Sequence, residues 1–361
     1  MSGKPVRGDG VSKTNGTKAE ELEVVSAKDF KKILGYSFKH KIPLFVEGEA
    51  GIGKTRIVED YCRENNTPLV VINPNTLDVG DVVTKIPVGD KLKEIIMEGL
   101  PREGSGILFF DEFRQAPKEN QRQFWRLFYQ RKIGEYTLPE GWSMAIASNL
   151  DEEIEMDEFE APLFDRMQIR CRYELDYTSW KEWAFENDLD VNVISYCGHF
   201  QEHFHFKDTE GKAITTPRRW EMTSNALKNK APEVVIRSIL PPAISSSFIN
   251  YMKVVSMFES VEDYISGKKS APAEMDRQYA LACAIINKAV GEDFIEKAIR
   301  AEVKGMNKEV ELFMKYGVIQ KAINRKAKTT LEKFAKIKSD VVKKAIVDFT
   351  IKNGWLIKDD A

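Results

Sequence analysis

Gly48-Glu49-Ala50-Gly51-Ile52-Gly53-Lys54-Thr55 follows directly on the apolar run Ile42-Pro43-Leu44-Phe45-Val46 and leads into a helical pattern. The stretch has the spacing G-x-x-x-x-G-K-[ST], and a buried strand before it with a helix after it is the setting that this pattern requires. Glycines at these places let the backbone curl until successive N–H groups point inward at phosphate oxygens. The emerging helix adds the positive end of its dipole, and Lys54 adds a full charge. All eight residues are candidates for phosphate binding, and Thr55 is expected to hold Mg²⁺ as well.

The chain around this loop is 361 residues long, enough for two or three domains with a sizeable core. Hydrophobic residues make up 42% and charged residues 30%, the balance of an ordinary globular protein, and a net charge of −2 gives no overall pull toward nucleic acid or anionic membrane. Cys62, Cys171, Cys197 and Cys283 lie far apart with no C-x-x-C pair, which points away from a disulfide framework or a zinc ribbon. No window approaches the roughly 18 apolar residues of a membrane span, and the polar N-terminus lacks the apolar core of a signal peptide. A cytoplasmic location is expected.

Residues 1–22 carry Gly, Ser, Thr and Lys with almost no apolar anchor and read as a disordered tail. Ser26 with Asp29 resembles a capping box, and Phe30, Ile33, Leu34 and Phe38 follow at helical spacing. After the loop, a helix carries Val58, Tyr61 and Cys62 on its apolar side, and Leu69-Val70-Val71-Ile72 reads as a short buried strand. Asp78 to Val83 reads as a short helical piece, and Gly89-Asp90 between two apolar runs is a hairpin turn.

Ile107-Leu108-Phe109-Phe110 followed at once by Asp111-Glu112 describes a fully buried strand whose C-terminal end delivers carboxylates to a site. Asp111 is placed to hold Mg²⁺ through water, and Glu112 to accept a proton from an attacking water. Pro117 opens a helix with Phe124, Trp125, Leu127 and Phe128 as its bulky residues, and a second hairpin is expected to turn at Pro139-Glu140-Gly141. The strand Met144-Ala145-Ile146-Ala147 ends in Ser148-Asn149, where an amide either orients a water or caps a turn. Thr216-Pro217-Arg218-Arg219 starts a helix with two cations in its first turn, against the dipole, which points to an anion nearby or to tertiary ion pairs.

Taken in order, these elements resemble the AAA+ ATPases, and within them the MoxR-like branch, whose members carry a hairpin in the second helix and another before the sensor strand. The resemblance runs from about Glu23 to roughly Val290. It is carried by Gly48 to Thr55, Phe110-Asp111-Glu112-Phe113 with Ala116-Pro117, Ala147-Ser148-Asn149, Phe164-Asp165-Arg166-Met167 and Thr216-Pro217-Arg218. It implies an αβα sandwich on a parallel sheet over 23–175, a small helical lid over 176–265 and an all-helical C-terminal region over 266–361. By the same resemblance Asn149 is the sensor on the fourth strand, Arg166 matches the arginine finger and Arg218 the sensor arginine of the lid. The family usually has Asn-Arg after the paired acids, where this chain has Arg114-Gln115, and Leu-Leu-Asp-Arg-Phe where this chain has Leu163-Phe164-Asp165-Arg166-Met167.

Three of the four histidines, His199, His203 and His205, fall in one stretch of the helical region. H-x-x-x-H on a helix can bind zinc, but this stretch lacks the H-E-x-x-H order and alternates with core-type phenylalanines. From Lys315 to Lys344 ten Lys or Arg stand against two acids, on an amphipathic pattern with a basic face. What the resemblance implies is an ATPase that uses ATP and Mg²⁺ and works as a homo-oligomeric ring, a hexamer, to remodel or activate a protein partner. A protein with a von Willebrand factor A domain is the partner that the resemblance implies. The basic stretch keeps a nucleic-acid motor or loader as the alternative, and a small-molecule kinase would leave Glu112, Asn149, Arg166 and Arg218 without a joint purpose.

Overall fold

A computed structural model describes residues 22–78, 80–150, 167–207, 209 and 214–324. The N-terminal tail, the arginine-finger candidate Arg166 and the basic stretch beyond Asn324 lie outside the described residues.

The central sheet has six strands, all parallel. These are β1 (Val24–Val25), β2 (Leu44–Gly48), β3 (Leu69–Ile72), β6 (Ser105–Phe110), β9 (Gly141–Asn149) and β10 (Ile169–Tyr173), in the spatial order β1-β10-β2-β9-β6-β3. Strands covered on both faces need apolar residues at every position, and alternation then deals them to opposite sides. Phe45, Leu108, Phe110, Met144 and Ile146 pack on one face with α3 (Lys118–Gln130). Leu44, Val46, Ile107, Phe109, Ala145 and Ala147 pack on the other, where α1 (Ala27–His40) and α2 (Lys54–Glu64) lie. Ser26 caps α1 as its sequence indicates: its hydroxyl accepts from the Asp29 amide at 3.2 Å and donates to the Asp29 carboxylate at 2.9 Å.

Three local expectations are corrected. The run Leu69 to Ile72 is an edge strand rather than a buried one, with Val71 about half exposed, because among the described residues β3 has a neighbour only in β6. Around Asp78 to Val83 there is no helix among the described residues; the Asp81 amide bonds back to the Asp78 carbonyl in a turn, and Val83 already belongs to a strand. The second hairpin, β7 (Lys132–Ile133) with β8 (Tyr136–Thr137), turns at Gly134-Glu135, where Gly134 has φ 55°, and Pro139 to Gly141 is instead the entry to β9. The first hairpin, β4 (Val83–Val88) with β5 (Lys91–Ile96), turns at Gly89-Asp90 as expected.

Beyond β10 the described chain is helical: α4 (Tyr177–Glu186), α5 (Val191–His199), α6 (Gln201–Phe204), α7 (Pro217–Lys228), α8 (Glu233–Ile239), α9 (Pro242–Ser256), α10 (Val261–Ile265), α11 (Met275–Lys288), α12 (Glu292–Arg300) and α13 (Lys308–Asn324). One apolar core runs through all of this region, from Trp180 and Tyr196 through Trp220 and Phe248 to Ile285, Phe313 and Val318. Phe185 of α4 meets Phe313 of α13 with ring centroids 5.6 Å apart, so helices on both sides of residue 265 share that core. No helix among the described residues is long and apolar enough to cross a membrane.

The helical region is tied to the sheet region through α2. Asp60, almost fully buried, accepts from the Trp183 indole N–H at 2.8 Å, and Arg63 and Arg56 approach its other oxygen at 2.5 and 3.5 Å. A buried carboxylate losing a neutral donor forfeits a charge-assisted bond, so Trp183→Phe should lower stability by about 1–3 kcal/mol, read from the denaturant midpoint.

Candidate active site

The loop from Gly48 to Gly53 joins β2 to α2 at the C-terminal edge of the sheet, where ligands of open α/β sheets bind. Two of its glycines are in the left-handed region, Gly51 at φ 76° and Gly53 at φ 103°, which a side chain would strain. A β-carbon on Gly53 would meet nothing within 4 Å, so the loop faces open space there. Helix α2 starts with no side-chain cap and no acidic residue in its first turn, which leaves its first N–H groups for an anion.

Lys54 is buried to 6% exposure and its ammonium donates to the Gly48 carbonyl at 2.7 Å, the Glu49 carbonyl at 2.8 Å and Asn149 Oδ1 at 2.9 Å. The register of β2 with β9 sets this up by pairing Gly48 with Asn149. Next along the chain, the Thr55 hydroxyl donates to Asp111 Oδ2 at 2.5 Å, and the other Asp111 oxygen accepts from the Glu112 amide at 3.0 Å. Glu112 sits at φ 53°, a left-handed backbone that turns the chain sharply off β6, and its carboxylate accepts from Asn73 Nδ2 at 3.2 Å. Lys54, Thr55, Asp111, Glu112 and Asn149 are thus brought together by the ends of β2, β6 and β9.

Asn73 is absent from the sequence reading. Its signal was a polar amide directly after a strand, but its partner follows only from the pairing of Ile72 with Phe110, which sets the ends of β3 and β6 side by side. Arg114, where the family pattern departs, is turned inward: it lies 3.8 Å from Glu47 Oε2, with its guanidinium 5.7 Å from the Phe45 ring centroid. Glu47 also takes two bonds from Arg172, at 3.0 and 2.8 Å. Both arginines therefore serve a nearly buried carboxylate of β2.

Thr216 takes the expected place before α7 but makes no capping bond. Its side chain instead lies against Gly51, 3.2 Å from where a β-carbon on that glycine would be. Arg218, two residues on, is exposed, with no hydrogen bond or ion pair among the described residues, whereas Arg219 donates to the Ile239 carbonyl at 2.9 Å. The three histidines do not converge. His203 Nδ1 bonds the Tyr196 hydroxyl at 2.7 Å, His199 packs on Phe200 and Tyr279, and His205 Nε2 lies 3.1 Å from Glu49 Oε2. The helix also breaks at Phe200, so His199 and His203 share no continuous face. All four cysteines are buried, and burial pushes the Cys62 thiol up to about 11 and Cys171 to about 12, against a nucleophilic role.

No protein-family model matches the chain, and no curated protein does. Similar solved structures include NtrX from Brucella abortus in complex with ADP, at 14% identity over 84% of this chain and 68% of that one, TM-score 0.38. RuvB from Thermotoga maritima is similar at 15% identity over 75% of this chain and 88% of that one, TM-score 0.35. Hsp104 in its closed state with ATPγS and casein is similar at 13% identity over 60% of this chain and 46% of that one, TM-score 0.40. All three are distant likenesses, and the reading of the site comes from its own residues.

Lys54→Ala removes a full charge together with its hydrogen bonds to the Gly48 and Glu49 carbonyls and to Asn149. Binding of a fluorescent ATP analogue, followed by anisotropy, should weaken at least about tenfold, the loss of one charge-assisted contact.

Proposed function

We propose that this chain is an ATPase of the AAA+ type, MoxR-like, which binds and hydrolyses ATP with Mg²⁺ and works as a homo-oligomeric ring, a hexamer, on a protein partner. One observation carries the reading: a cation, a hydroxyl, two carboxylates and an amide converge where a glycine loop and an uncapped helix start meet the end of a parallel sheet. Lys54 and the loop amides would hold the phosphates. The Thr55 hydroxyl and Asp111 carboxylate, hard oxygen donors 2.5 Å apart, suit Mg²⁺. When bound, that ion neutralises charge on the phosphoryl oxygens. Glu112 would take the proton of the attacking water and Asn149 would orient that water, its Oδ1 already engaged by Lys54. Asn73 would hold the Glu112 carboxylate until a substrate water competes for it.

A protein partner is supported by the β4–β5 hairpin, where Ile86, Val88, Leu92 and Ile95 are exposed among Lys85, Lys91 and Lys93. Exposed aliphatic side chains gathered on one hairpin favour contact with another polypeptide. A protein with a von Willebrand factor A domain is the partner class we propose. The division into a sheet domain over 23–175, a lid over 176–265 and a C-terminal region over 266–361 belongs to the same proposal, as does Arg218 as the lid arginine.

Glu112→Gln tests the base directly. The amide cannot accept a proton, so ATP should still bind while phosphate release falls by at least about 100-fold; turnover at the wild-type rate would remove Glu112 from that role. Arg166 tests the ring. If it completes a neighbour's site, neither Arg166→Ala nor Lys54→Ala should hydrolyse ATP alone, since such a guanidinium is worth about 10³ to 10⁵ in rate. Mixed assemblies of the two variants should recover part of the activity, because some junctions then pair an intact loop with an intact arginine. Full activity of Arg166→Ala in a strict monomer would overturn the ring.

A further inference from the structure

Glu49, the second residue of the phosphate loop, is held by side chains from the helical region. Lys207 Nζ pairs with Glu49 Oε1, and His205 Nε2 lies 3.1 Å from Oε2. Lys207 is 158 residues away in sequence, so the pair reports how the two parts of the molecule pack rather than a local charge pattern. Thr216, at the other end of the same connection, rests on Gly51. The helical region therefore meets the loop at two of its residues.

A carboxylate here is an electrostatic problem. Glu49 is itself a loop residue, so a polyphosphate held by the loop amides would stand close to its carboxylate, and the two would repel. Burial holds the His205 imidazole below its ordinary range, with the Glu49 carboxylate opposing that shift and Lys207 adding to it. Lys207 thus supplies the full positive charge that faces the Glu49 carboxylate, with the His205 imidazole beside it.

We propose that Lys207, with His205 beside it, is a positioning residue for the phosphate loop: it neutralises Glu49 from across the boundary between sheet and helical region, so that the loop can receive a polyphosphate. The role rests on the nucleotide reading above. Lys207 touches the loop through Glu49 and no reacting atom, so its effect should appear in binding rather than in the chemical step.

The test is a double-mutant cycle on the full chain, with a fluorescent ATP analogue as the probe and anisotropy as the readout. Lys207→Ala should weaken binding about fivefold, the upper range for a partly exposed pair, and Lys207→Arg should stay within about twofold of wild type. In the Glu49→Gln background, removing Lys207 should cost less than about twofold, because no carboxylate is left to neutralise. A purely structural lysine would cost the same in both backgrounds, and that result would overturn the role while leaving nucleotide binding intact. No binding by the wild-type chain would overturn the nucleotide reading and this role with it.

Discussion

The buried ammonium of Lys54 is the constraint on which the rest depends. A charge taken out of water must be met by acceptors, or burial costs more than the fold can supply. Three of its acceptors come from the end of β2, from the loop and from the end of β9. They coincide only if β2 and β9 are neighbours with Gly48 opposite Asn149, and the Leu150 amide reinforces that register by donating to the Gly48 carbonyl at 3.1 Å. The β10 strand closes in from the other side: a β-carbon on Gly48 would stand 2.6 Å from the Tyr173 carbonyl oxygen. One cation thus ties the end of β2 to the end of β9, and β10 leaves no room for a side chain at Gly48.

The same economy governs the acids. Asp111 is occupied by Thr55 and by the backbone of its neighbour, and Glu112 by Asn73. Each polar group of the site is paired with another element's group, so its position is fixed before any ligand arrives. A ligand exchanges these bonds for its own and need not order the side chains first, which is the advantage of a preorganised site. Arg218 stands apart from this set, on an exposed helix start near the loop.

What could be read from the sequence was whatever local pattern decides. Continuous apolar runs located β2, β6 and β9, and the residues that ended them, Gly48, Asp111-Glu112 and Asn149, were therefore visible as the members of one edge. Features set by pairing over distance were not visible. Leu69 to Ile72 is as apolar as a central strand, and only the sheet order makes it an edge. Gly134-Glu135 and Pro139 to Gly141 are both turn signals, and the bonding of Lys132 with Thr137 is what chooses the first. Asn73 against Glu112 and Lys207 against Glu49 depend on register and on packing between parts, which no window of neighbouring residues contains.

The single core of the helical region has a consequence for how such a chain can be divided. Helix α11 is buried from Gln278 to Ile286 and packs against α5, α9 and α13. A break after Ile265 would strip α11 and α13 from their partners, taking Phe313 and Tyr316 from Phe185 and the Tyr279 carbonyl from Ser195. The helices before that point lean on those after it, so a lid over 176–265 keeps its packing in an exchange, fusion or transplant only when the helices to Asn324 travel with it.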